Sequence, residues 1–152
     1  MRVLAAEDNF ITRLDLREIL EAAGHTVCAE ARDGTEAVEL ARRERPDIAF
    51  LDFSMPGLDG LEAARRIIAE RSIPVVMVTG RRHADLVSEA AAAGVGGSFL
   101  AKPFAEADVL AAVAAAERLH RKRLKRERRG GVLGRLRPGR LAPSTSPRAR
   151  AS

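Results

Sequence analysis

The chain has 152 residues, 46% of them apolar, enough for one domain with a real core and little more. No apolar run nears the ~18 residues that span a membrane. The N-terminal "MRVLAAEDNF" has no signal-peptide apolar region, and the lone Cys28 excludes an internal disulfide or a cysteine zinc cluster, so a cytoplasmic protein is expected. The net charge of +5 averages two unlike parts. Residues 121–152 hold 12 Lys and Arg against the single acid Glu127, a basic tail of +11 on a body, residues 1–120, of −6.

In chain order, "VLAA" (3–6) is a short apolar strand ending in Glu7 and Asp8. "ITRLDLREILEAAG" (11–24) carries Ile11, Leu14, Leu16, Ile19, Leu20 and Ala23 near helical spacing, and Gly24 suits a C-terminal stop. "HTVCAEA" (25–31) reads as a strand in which Cys28 is a buried small hydrophobe. Asp33 and Glu36 fit a capping pattern for a helix running to about Arg43. "DIAFLD" (47–52) is a strand. "LDGLEAARRIIAE" (58–70) is a helix with Leu61, Ala64, Ile67 and Ile68 inward. "IPVVMVTG" (73–80) is so uniformly apolar that both its faces should be buried, as in a central parallel strand. A short helix over about 84–93 stops at Gly94, and "SFLAK" (98–102) is a fifth strand. A last helix starts at 104 with Val109, Leu110, Val113 and Leu119 inward, and runs on through the basic "RLHRKRLKRERR" to 129. The expected fold is α/β: a doubly wound (βα)5, flavodoxin-like, five-stranded parallel sheet with helices on both faces. The expected boundary lies near residue 120, with the domain over 1–120 and a helical extension and disordered tail over 121–152.

In such sheets ligands gather at the carboxyl ends of the strands. Glu7 and Asp8 follow strand one, Asp52 ends strand three, Thr79 ends strand four and Lys102 ends strand five. Any one of these could be a strand end meeting solvent; five at one rim are more than loop polarity supplies. Three carboxylates repel unless a hard cation relieves them, and Mg²⁺ favours oxygen ligands and phosphate. The three histidines, His25, His83 and His120, lack metal spacing. Thr79 offers a hydroxyl and Lys102 a mobile point charge for a phosphate oxygen. A hydroxyl, an ammonium and Mg²⁺ around a carboxylate make a phosphoryl-accepting site with Asp52 as nucleophile. "GVGG" (94–97) follows a helix and enters a strand, the reverse of a phosphate loop.

The ordered set "ED" (7–8), "LDFSMPGLDG" (51–60), "VTG" (78–80) and "FLAKPF" (99–104) resembles the receiver domain of the response regulators of two-component signalling, over residues 1 to about 120. The resemblance implies that Asp52 takes a phosphoryl group from a histidine kinase or a histidine phosphotransfer protein. It implies Asp8 as a direct Mg²⁺ ligand, Glu7 acting mostly through water, and the Ser54 carbonyl as a further ligand. Thr79 and Lys102 would bind phosphoryl oxygens, Lys102–Pro103 would be cis, and Phe99 falls where the family carries its switch aromatic. Glu7 replaces a more usual Asp, Phe10 a frequent Pro, and Phe99 lacks the hydroxyl of a frequent Tyr, so a switch there works by packing. Ser54 and Arg81 stand where the family tunes phosphate lifetime. Such a protein is not a conventional enzyme, although it catalyses its own phosphorylation and dephosphorylation.

The expected output is contact with a downstream protein target, or a homodimer formed through helix four, strand five and helix five. The basic tail is either a solvated extension or a nonspecific contact for an anionic partner; no aromatics interleave with its basic residues, so phosphate contact rather than base stacking is expected. Three rival readings stand beside the receiver. An aspartyl-phosphate phosphatase usually has a second Asp two residues after the nucleophile, where this chain has Ser54. The others are a scaffold that never turns over and a nucleic-acid binder governed by the tail.

Overall fold

A computed structural model of the chain describes residues 1–80 and 83–136. By its internal contacts the chain divides into two units, Met1–His120 and Arg121–Ser152. The first unit is built in strict alternation. Its strands are β1 (Arg2–Ala6), β2 (Thr26–Ala31), β3 (Ile48–Asp52), β4 (Val75–Thr79) and β5 (Ser98–Ala101). Its helices are α1 (Phe10–Ala22), α2 (Gly34–Glu44), α3 (Gly60–Glu70), α4 (His83–Ala92) and the start of α5 (Glu106–Leu136).

The five strands are all parallel, in the order β2-β1-β3-β4-β5. Alternate residues of each strand face opposite layers. Val3, Ala5, Ile48, Phe50, Val76 and Val78 pack under α1 and α5 with Leu16, Leu20, Val109 and Val113. Leu4, Ala6, Ala49, Leu51, Val75 and Met77 pack under the other three helices with Ala37, Ala63, Ile67 and Leu86. Every residue of β3 and β4 is buried, which explains why both read as unbroken apolar runs. The chain reverses its direction of travel across the sheet between β1 and β3. That is the switch point at which a doubly wound sheet opens a crevice beyond its strand ends.

Helix starts follow local chemistry. Asn9 caps α1, accepting from the Thr12 amide at 3.0 Å, so the helix begins a residue earlier than its apolar spacing suggests. Asp33 caps α2, accepting from the Glu36 amide at 2.8 Å, and Glu36 accepts from Arg32 N–H in return. Asp59 caps α3, so 58–59 precede the helix that the sequence was expected to start there. Gly24 has φ +96°, the left-handed conformation that ends α1.

Three expectations of burial fail. In α1 the inward face is Arg13, Leu16 and Leu20, whereas Ile11 and Leu14 are exposed. In α5 the small Ala112 and Ala116 meet the sheet beside Val109 and Val113, and Leu110 and Leu119 turn outward. Cys28 is only half-buried, because β2 is an edge strand; its thiol donates to the Val3 carbonyl at 3.5 Å, and burial pushes its pKa up. An unreactive structural thiol fits that environment.

In the second unit, residues 121–136 are helical, the end of α5. The helix therefore passes Gly130 and Gly131, where the sequence suggested a disordered tail to begin. Each mid-helix glycine costs about 1 kcal/mol relative to alanine, which weakens a helix without stopping it, and no proline falls between Pro103 and Pro138. Residues 81–82, with Arg81 among them, and 137–152 lie outside the described residues.

Candidate functional site

The register of the sheet brings the chemistry together. Ala6 pairs with Leu51, Asp52 with Val78, and Thr79 with Ala101. Glu7, Asp52, Thr79 and Lys102 therefore leave four neighbouring strands at one rim. Glu7, Asp52 and Thr79 are buried, each at most 3% exposed, whereas Asp8 and Ser54 face solvent. Lys102 follows β5, its amide donating to the Thr79 carbonyl at 2.8 Å, and the Lys102–Pro103 peptide is cis.

The Lys102 ammonium bridges the buried acids, with Nζ 3.0 Å from Asp52 Oδ2 and 2.8 Å from Glu7 Oε1. The contact with Asp52 is a directed hydrogen bond. The contact with Glu7, the shorter of the two, is an ion pair to a fully buried oxygen. The remaining oxygens are held by backbone amides: Asn9 N–H donates to Glu7 Oε2 at 3.0 Å, and Ser54 N–H to Asp52 Oδ1 at 3.3 Å. Burial by itself would lower the Lys102 pKa; hydrogen bonding and charge from Glu7 and Asp52 outweigh it and hold the ammonium above its ordinary value.

Glu7, Asp8 and Asp52 each offer an oxygen, and these atoms all lie within 4.8 Å of one another. Against them stands one ammonium, which leaves a formal surplus of two negative charges. A hard divalent ion matches that surplus and the all-oxygen donor set. These residues fit Mg²⁺. With a metal and an ammonium beside it, the Asp52 carboxylate can approach an anionic phosphoryl group that it would otherwise repel.

Two contributors carry no signal in the sequence pattern. Arg13, 9% exposed, reaches from α1 to donate to the Glu7 carbonyl at 2.7 Å. Its Nε lies 3.2 Å from Glu30 Oε1, Arg17 holds the other Glu30 oxygen at 2.8 Å, and the Phe10 ring covers the guanidinium at 5.6 Å. Gly60 is the second: its amide donates to the Phe53 carbonyl at 3.1 Å, and a Cβ there would lie 1.9 Å from the Asp52 carbonyl oxygen. Phe99, half-buried on β5, packs against the layer of α2, α3 and α4 and lines a groove with Leu100, Ala111, Ala115 and Leu119. A second groove of about 460 Å³ runs beside the rim, between Ile11 and Leu14 on α1 and Lys102, Pro103 and Phe104.

The model of the response regulator receiver domain matches residues 3–114. The chain belongs to the response regulator receiver domain family. Over 112 residues it is 43% identical to the transcriptional regulatory protein PdtaR of Mycobacterium tuberculosis, a match covering 74% of this chain and 54% of that protein. The chain thus spans about half the length of that relative. Among solved structures, the receiver domain of the putative response regulator NarL from M. tuberculosis superposes with a TM-score of 0.70 at 31% identity, covering 76% of this chain and 95% of that one. The CheX–CheY–BeF₃–Mg complex of Borrelia burgdorferi gives a TM-score of 0.69 at 29% identity, covering 74% and 86%. The flavodoxin-like sheet expected from the sequence is the receiver fold. Among the described residues no helix is long and apolar enough to cross a membrane.

Proposed function

We propose that this receiver is a phosphorylation switch in which Asp52 accepts a phosphoryl group from a phosphohistidine of a kinase or phosphotransfer protein. The observation that carries the reading is the buried Asp52 carboxylate held 3.0 Å from Lys102 Nζ inside the acidic trio. In the transfer the P–N bond breaks, a P–O bond to Asp52 forms, and the departing imidazole regains a proton from water. Glu7, Asp8, Asp52 and the Ser54 carbonyl would hold Mg²⁺, which offsets charge on the phosphoryl oxygens. Lys102 moves from pairing two carboxylates to binding a phosphoryl oxygen, and the Thr79 hydroxyl closes on another. The chain's own rim also supports hydrolysis of the acyl phosphate, so it times its own signal without being an enzyme on an outside substrate. The kinase brings its histidine over Asp52 by docking on the exposed apolar Phe10, Ile11 and Leu14 beside the rim. A kinase of this kind presents its histidine in the cytoplasm, where this receiver works. Residues 1–120 act as the receiver and 121–152 as a separate basic unit.

The signal leaves by packing. Phosphate adds up to about two negative charges and strong acceptor oxygens. As Thr79 moves toward them, space opens behind it, and Phe99, which has no polar tip, turns inward. The surface of α4, β5 and α5 changes with it, where Val87, Leu110 and Leu119 are exposed to a downstream target or a second copy. Shifting from 1% to 99% active needs about 5.5 kcal/mol of differential stabilisation. The test compares backbone amide shifts of residues 83–115 before and after beryllofluoride with Mg²⁺. Wild type should shift across α4, β5 and α5, and Thr79→Ala should shift much less. Equal shifts in both proteins, or none in wild type, would contradict the switch.

A further inference from the structure

The end of α5 carries charge that the phosphorylation site does not use. Its segment 121–129, "RKRLKRERR", has seven basic residues and one acid. Glu127 neutralises only Arg123, at 3.1 Å, which leaves Arg121, Lys122, Lys125, Arg126, Arg128 and Arg129 exposed with no acid to pair with in their own segment. At 3.6 residues per turn these six form two ridges. Arg121, Lys125 and Arg128 lie along one; Lys122, Arg126 and Arg129 lie along the other, about 100° round the helix. We infer that this segment is a duplex-DNA contact, a helix that lies in the major groove with one basic ridge against each phosphate backbone.

The partner follows from shape and charge. A helix with side chains is about 10–12 Å across, and the major groove of B-DNA is about 12 Å wide with phosphates on both walls. Two ridges on adjacent faces match two walls better than one flat surface. An interfacial membrane helix needs an apolar face, and this segment offers only Leu124. Duplex RNA has a deep, narrow major groove that does not admit such a helix. No Asn or Gln, the side chains that read adenine, occurs between Arg118 and Leu136, and the six ridge residues are assigned to the two phosphate walls, so phosphate charge supplies the affinity. This inference does not rest on the role of Asp52.

The test uses the full unphosphorylated chain and a fluorescent 20-base-pair DNA duplex, titrated by anisotropy between 50 and 200 mM salt. Six phosphate contacts predict a log–log salt slope near −5, about a 10³-fold loss of affinity across that range. Changing the six ridge residues to Gln, a good helix former, should weaken binding at least 100-fold. Changing the ridge arginines to Lys should keep binding within about threefold, and changing Arg137, Arg140, Arg148 and Arg150 to Gln should keep it within about tenfold. The inference fails if the ridge variant binds like wild type or if the slope is shallower than about −2. It also fails if duplex RNA of the same length, or vesicles of an anionic phospholipid, bind as tightly as the DNA.

Discussion

Gly60 lies against Asp52 so closely that a Cβ on it would sit 1.9 Å from the Asp52 carbonyl oxygen. The obstacle is backbone on a central, fully buried strand and cannot swing aside. The start of α3 is thereby seated on the residue that carries the chemistry. Gly60→Ala should cost at least about 2 kcal/mol and lower the urea midpoint, by forcing β3 and α3 apart. It should also slow phosphoryl acceptance in the fraction that remains folded. Gly96→Ala, which has open space around it, should stay within about 0.5 kcal/mol of wild type. Equal midpoints for the two variants would contradict the close seating.

Arg13 holds the main chain where the acids leave β1. Arg13→Ala removes the donor to the Glu7 carbonyl and leaves Glu30 with Arg17 alone. An unpaired buried acceptor and a partly buried carboxylate should cost about 2–4 kcal/mol. Arg13→Lys should recover part of this, since Lys supplies one donor but not the fork. Chemical denaturation measures both, and a loss under 0.5 kcal/mol for Ala would show that the Glu7 turn is held by other means.

On the proposed reading, Lys102 and Mg²⁺ would draw on the same carboxylates. Removing the ammonium leaves three acids facing the ion with nothing to share them. Lys102→Gln should therefore bind Mg²⁺ more tightly, by the order of tenfold at low salt, while accepting phosphate more slowly. Isothermal titration gives the first number and a timed phosphodonor reaction the second. Weaker Mg²⁺ binding by the variant would mean that Lys102 orders the acids rather than competes with the metal.

Much of this site is written in the chain because strand ends in an alternating βα pattern are few and can be counted. Glu7, Asp8, Asp52, Thr79 and Lys102 could be placed at one rim before any coordinates, since each closes or follows an apolar run. What was hidden depends on through-space packing. Gly60 looks like another turn glycine until α3 folds back onto β3. Arg13 looks like a solvent-facing residue of an amphipathic helix, because its partners, the Glu7 carbonyl and Glu30, come from other elements. Ile11 and Leu14 have helical spacing, but spacing does not say which stripe the sheet will cover; the pair of capping Asn9 and buried Arg13 sets that rotation. Helix α5 runs past the paired glycines at 130 and 131, which read as a stop in the sequence although a helix interior tolerates them.

The most direct test of the account is the mass of the intact protein after incubation with a small phosphodonor and Mg²⁺. The account predicts a single added phosphoryl group on wild type, absent from Asp52→Asn and absent from wild type when the metal is chelated. An adduct on Asp52→Asn as abundant as on wild type, or labelling that survives chelation unchanged, would contradict it.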